Sequence, residues 1–166
     1  MSELVNAIHD EFHEEIPATR RLLERVNDDN LSWRPHPKSR TLGELAFHVA
    51  NIPGMAAKII ENDEFAAGTG TPTQVTSADQ IRQAFEKSVF DADRAFSSLT
   101  PEKAAAEWRF LFRDKEIFRK KRTAALRTNM LNHLYHHRGQ LSVYLRLLEV
   151  PVPMVYGPTA DENPFA

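Results

Sequence analysis

The sequence predicts an all-α protein, a four-helix bundle with a crossover connection and an extended, proline-rich C-terminal tail. Three observations carry that prediction. Apolar residues recur at three- and four-residue steps through four long segments. Helix-start residues stand where those segments begin, as in "TLGE" and "SADQ". The final stretch, "VPVPMVYGPTADENPFA", has prolines that forbid helix.

The first helix is expected from Glu3 to Val26, because Leu4, Ile8, Phe12, Ile16, Thr19, Leu23 and Val26 fall on one face; Pro17 is placed to kink it. "NDDNLSWRPHPKSR" follows as a loop, with Pro35 and Pro37 two apart and Trp33 as its anchor to the core. A second helix opens at Thr41, whose capping box is closed by Glu44, and its stripe is Leu42, Leu45, Val49, Ile52, Ala56 and Ile59. Pro53 and Gly54 make this helix either bend or restart after His48. "FAAGTGTPTQVT" has the composition of a connector. Ser77 and Gln80 then cap a helix to about Leu99, buried through Ile81, Phe85, Val89, Ala92, Phe96 and Leu99.

Thr100 and Pro101 open a short capped turn. "WRFLFRDKEIFR", Trp108 to Arg119, alternates apolar and polar residues, which suggests a small hairpin or an irregular excursion. The last helix is expected from Thr123 to Leu148, with the tail lying extended over the bundle or a partner subunit. Long third connections of this kind permit a crossover topology.

Composition limits the function classes. The chain has 166 residues, 42% of them hydrophobic, which suits a single domain over 1–166. Charges nearly balance at a formal net of -2, so no global field draws the protein to nucleic acid or an anionic membrane. There are no cysteines, which excludes disulfides, thiolate ligands and a cysteine nucleophile. The acidic, amphipathic start lacks the features of a signal peptide, and no apolar run has membrane-spanning length, so a cytoplasmic location is expected.

Three of the seven histidines crowd into "NHLYHHRGQL". At about 100° per residue, with His133 at zero, Leu126, Met130, Leu141, Leu145 and Leu148 form a stripe centred near 60°. His137 falls inside this stripe and His133 at its edge, while His136 points away. Imidazoles four residues apart on a helix can converge on one ion. The same pair can also be buried, hydrogen-bonded histidines. A third ligand from another helix would explain their burial, and His48, on the flank of the second helix's stripe, is the best candidate. Three neutral imidazoles leave coordination positions open, as catalytic sites do. His9 and His13 form a rival HxxxH among Asp10, Glu11, Glu14 and Glu15, which reads as a solvated face, and His36 between prolines reads as a loop residue.

"SRTLGELAFHVA", followed by "HLYHHRGQLSVYLRLLEVPVP" and "YGPTADE", resembles the DinB/YfiT-like superfamily of damage-inducible bacterial proteins, which is unrelated to the polymerase sharing the name. The resemblance runs in order over most of the chain. It implies a four-helix bundle, commonly a homodimer, binding one divalent metal ion, nickel or zinc, through His48, His133 and His137. It also implies a range of activities, since similar proteins include mycothiol-dependent maleylpyruvate isomerase and bacillithiol S-transferases. The expected function is therefore transfer of a low-molecular-weight thiol cosubstrate to a small electrophile. Metal-dependent hydrolysis is the alternative, and a non-catalytic metal- or ligand-binding protein is a third reading.

Asn129, Gln140 and Tyr144 fall on the histidine line of the same wheel, as candidates either to support the ligands or touch substrate, or for ordinary packing. Glu44 is explained by its capping role. "RKKR", Arg119 to Arg122, lacks interleaved aromatics and reads as a solvated helix entrance rather than a nucleic-acid site.

Overall fold

Strong helical periodicity in the sequence becomes helix, and the alternating stretch becomes part of a sheet. The computed structural model describes residues 3–69 and 73–165. Helix α1 spans Glu3–Glu24 and buries Val5, Ile8, Phe12, Ile16, Leu22 and Leu23, with Pro17 inside it. A 3-10 turn, Asp28–Asn30, begins the loop that follows. Trp33 is half-buried there, its ring edge-on to Tyr144 with centroids 5.6 Å apart.

Helix α2, Leu42–Asn51, starts with both halves of the expected capping box. Glu44 N donates to Thr41 Oγ1 at 3.1 Å and Thr41 N to Glu44 Oε2 at 2.8 Å. At Pro53 and Gly54 the chain restarts as α3, Met55–Glu61. The restart preserves the apolar face, because Leu42, Leu45, Val49, Ile52, Ala56 and Ile59 are all buried. Helix α4, Ala78–Ser97, is capped by Ser77 accepting from Gln80 N. The Gln80 side chain reaches one residue further back than a capping box requires, accepting from Thr76 N at 3.0 Å. Helix α4 packs against α1, α2 and α3, and α5 spans Pro101–Ala105 under its Thr100 cap.

The all-α expectation is corrected by a three-stranded sheet in the order β1-β2-β3. Strands β2, Glu107–Phe112, and β3, Lys115–Lys121, form the antiparallel hairpin that was one of the two expected alternatives. Strand β1, Glu64–Ala67, lies in and just before the expected connector and pairs parallel to β2, with Phe65 opposite Phe110. Part of that connector, residues 70–72, lies outside the described residues. Parallel neighbours need a crossover connection, and here it contains α4 and α5. Gly68 ends β1 at φ 79°, and a Cβ there would meet the Phe112 ring at 2.7 Å, so both conformation and space require glycine.

The last helical stretch is not uniform. It runs as α6, Arg122–Ala125, then a π-helical turn, Leu126–Leu131, then α7, Asn132–Leu147. The basic run before it is also corrected. Arg119, Lys120 and Lys121 belong to β3, and Arg122 is 1% exposed rather than solvated. After α7 the tail turns back on itself. Val152 N donates to Asp161 Oδ2 and Met154 N to Glu162 Oε2, both at 2.8 Å. Asp161 and Glu162 pair in turn with Arg146 of α7 and Arg21 of α1. No helix among the described residues is long and apolar enough to cross a membrane.

Candidate metal centre

Helices α2 and α7 pack together, and their facing surfaces carry His133 and His137, singled out by spacing, and His48, expected from the flank of the second helix's stripe. His48 comes from α2, and His133 and His137 come from successive turns of α7. Ring centroids are 4.9 Å apart for His48 and His133, 4.5 Å for His48 and His137, and 4.7 Å for His133 and His137. One ring nitrogen from each lies within 4.8 Å of the other two. His136 is exposed, as the wheel requires.

The donor set fits a divalent transition metal. His48 Nε2 and His133 Nε2 are 3.0 Å apart. Two nitrogens bound at about 2.1 Å to one ion, about 90 to 110° apart, would stand roughly 3.0 to 3.4 Å from each other. Electrostatics favour the neutral, ligating form of each ring. Burial pushes the His48 pKa down to about 3, helped by the charge of Arg40 and the two neighbouring histidines. Burial likewise lowers the pKa of His133 and His137.

A hydrogen bond orients one of the rings. Gln140 Oε1 lies 2.7 Å from His137 Nδ1; an amide oxygen only accepts, so this bond puts the proton on Nδ1 and leaves the Nε2 lone pair free. The Asn129 backbone beside the His133 ring works against the lowering of its pKa. Asn129 sits in the π-helical turn, an irregularity that recurs at functional sites because it re-aims backbone groups. Tyr144 is different. Its hydroxyl contacts the Arg40 carbonyl at 3.3 Å and its ring meets Trp33, so it braces the loop before α2.

Two hollows flank the cluster and share His48 and Asn51. One, of about 450 Å³, is also lined by Arg40, Glu44, Phe47 and Val75. The other, about 290 Å³, is lined by Met55, Lys58, Phe65, Phe110, Asn129 and His133. Lys58 Nζ lies 4.4 Å from the Phe65 ring centroid, and burial lowers its pKa. Sequence reasoning missed Arg40, Lys58, Phe65 and Phe110. Asn51 could have been found, being one turn beyond His48 on the same helix face.

Residues 1–163 match the DinB family model. The chain belongs to the DinB family. Among curated relatives, this DinB chain is 26% identical over 148 residues to the uncharacterized protein YrdA of Bacillus subtilis (strain 168), covering 89% of the chain and 85% of that protein. It is similar in structure to a DinB-like protein from Bacillus cereus ATCC 10987, with TM-score 0.73, 25% identity, and 91% and 97% of the two chains covered. The DinB-like protein YjoA of Bacillus subtilis gives TM-score 0.70 at 21% identity, over 96% and 99% of the chains, a likeness of fold.

The other HxxxH pair of this DinB chain departs from the expected solvated face. His9 is half-buried and stacked on Phe96, with ring centroids 4.5 Å apart and planes at 30°. His13 is more exposed, and both rings face Asp93 of α4.

Proposed function

We propose that His48, His133 and His137 hold one divalent ion, nickel or zinc, and that the protein transfers a low-molecular-weight thiol to a small electrophile. The observation that carries this reading is the convergence of three neutral imidazoles between two hollows. A bound ion there would supply Lewis acidity, lowering the pKa of a thiol brought beside it. The thiol must come as a cosubstrate, because the chain has no cysteine.

The residues around the cluster suit such a reaction. Phe65, Phe110 and Met55 give the smaller hollow apolar walls that hold an organic body and exclude water. Lys58 at its edge offers a cation for an anionic group of the electrophile. Arg40, on the other side of His48, offers one for a carboxylate of the thiol. Gln140 holds a proton on His137 Nδ1.

The test is elemental analysis of tag-free protein together with turnover of an electrophile with and without added thiol. About one equivalent of metal at this cluster, with turnover that needs thiol and is lost in His48→Ala and His137→Ala, supports the proposal. Turnover of esters or amides without thiol would replace transfer by hydrolysis. A loaded site inactive on all of them would leave a metal-binding protein.

We also propose that the chain is a four-helix bundle of the DinB type and works as a homodimer. The exposed Val143 and Leu147, one turn apart on α7, support a self-associating face. Light scattering on the eluting protein tests this, and a monomeric mass would reject it.

A further inference from the structure

On the α1 and α4 side of the molecule, His9 Nε2, His13 Nε2 and Asp93 Oδ1 form a compact triangle. Its sides are 3.0 Å between the two nitrogens, 3.1 Å from His13 to Asp93, and 3.4 Å from His9 to Asp93. We propose that these three side chains are a second divalent transition-metal site, one that clips α1 to α4.

The geometry favours an ion over mutual hydrogen bonding. If both rings carried Nε2 protons to donate to Asp93, the two N–H groups would be pressed side by side across 3.0 Å. If one ring gave up that proton to accept from the other, it would turn a bare lone pair toward the carboxylate. A cation engages both lone pairs and the carboxylate oxygen at once. An ion about 2.0 to 2.2 Å from all three atoms sits roughly 1 Å above their plane, with a fourth position open to water.

The site is also held in place from below. His9 is fixed by its stack on Phe96, and the four-residue spacing of His9 and His13 presents both rings on one face of α1. Asp93 projects from the C-terminal part of a twenty-residue helix, inside its regular span rather than from a loop. Two imidazoles and one carboxylate suit zinc, nickel or cobalt rather than calcium or magnesium, which prefer oxygen ligands. With His13 and Asp93 side chains 48% and 40% exposed, the ion would exchange with solvent more readily than one held between α2 and α7.

The test is titration of full-length, tag-free protein with cobalt(II), followed by visible absorption and calorimetry, with zinc displacement as a check. Wild type should bind two equivalents. His13→Ala and Asp93→Asn should each bind one, and His48→Ala combined with His133→Ala should leave the other. Asp93→Asn keeps the size and hydrogen-bonding capacity of the side chain, so loss of an equivalent in that variant identifies a ligand rather than a packing partner. Circular dichroism of each variant establishes that it is folded. If the α2 and α7 cluster binds nothing, wild type takes one equivalent and His13→Ala none, so the two sites are judged separately. Identical stoichiometry and affinity in wild type, His13→Ala and Asp93→Asn would overturn the proposal.

Discussion

Gln140 Oε1 and His137 Nδ1 are 2.7 Å apart, one turn along α7. The pair sets which nitrogen of His137 is free, so at the proposed metal site Gln140 would act on affinity through another residue. Removing a partner of this type weakens metal binding by about 10- to 100-fold. Gln140→Leu should therefore lower affinity within that range in a chelator competition, while Gln140→Glu, which keeps an acceptor, should not. Gln140 is exposed, so the melting temperature of the metal-free variants should barely move. Equal affinity in wild type and Gln140→Leu would show that the contact does not govern the tautomer.

Arg122 ties the sheet to the helices. Its guanidinium donates to the carbonyls of Ile59 at 3.0 Å, Glu107 at 2.8 Å and Asn62 at 3.0 Å, and to Asp63 Oδ1 at 2.5 Å. Arg122→Met fills similar volume but strands those carbonyls, and should cost roughly 3 to 5 kcal/mol in urea unfolding. Asp63→Asn should cost less than about 1 kcal/mol, because the Asp63 side chain is 91% exposed and its pairing is screened. A large loss in Asp63→Asn with a small one in Arg122→Met would reverse this assignment.

The helices and the His133 and His137 pair were legible because each depends on neighbours in sequence, whereas His48 was reached through its helix stripe and the family resemblance. Thr41 and Glu44 announce α2 in four residues, and His133 and His137 share a face by spacing alone. The sheet was legible only in part, the β2–β3 hairpin as one of two alternatives and β1 not at all, for physical reasons. Strand β1 has four residues, and its partner lies far along the chain, pairing Glu64 with Arg109. The hairpin turns through Arg113 and Asp114 without glycine, Arg113 itself taking φ 53°, and a register shift at Phe110 and Leu111 breaks the alternation. The walls of the smaller hollow were missed with it, since Phe65 and Phe110 are strand residues. The π-helical turn was hidden because a uniform 100° step cannot register its extra residue. Arg122 looked solvated because the surrounding run is basic, whereas the acceptors that bury it come from Ile59, Asn62 and Glu107.

The capping box at the start of α2 should be measurable by itself. Thr41→Ala removes the oxygen that accepts from Glu44 N and should cost about 1 kcal/mol, whereas Thr41→Ser should be close to neutral. Denaturant midpoints at unchanged slope check this. A neutral Thr41→Ala would mean that tertiary packing of Leu42 and Leu45 holds the helix start alone.

The lowered histidine pKa values make the stability of the metal-free protein depend on pH, and the sign can be worked out. In the unfolded chain His48 titrates near 6.5, while in the fold burial, Arg40 and the neighbouring rings lower it to about 3. Between those values the unfolded chain binds the extra proton, so stability falls as pH drops below about 6.5 and keeps falling until the folded protein is protonated too. For His48 alone the loss at about pH 5 is on the order of 2 kcal/mol, at 1.36 kcal/mol per pH unit. His133 and His137 act in the same direction, because burial lowers both. Urea unfolding of chelator-treated protein at about pH 7.5 and pH 5 should show this loss, and His48→Leu, which has no proton to bind, should lose distinctly less. An equal loss in the two proteins would mean that other groups carry the acid sensitivity and that His48 is better solvated than its place between α2 and α7 implies.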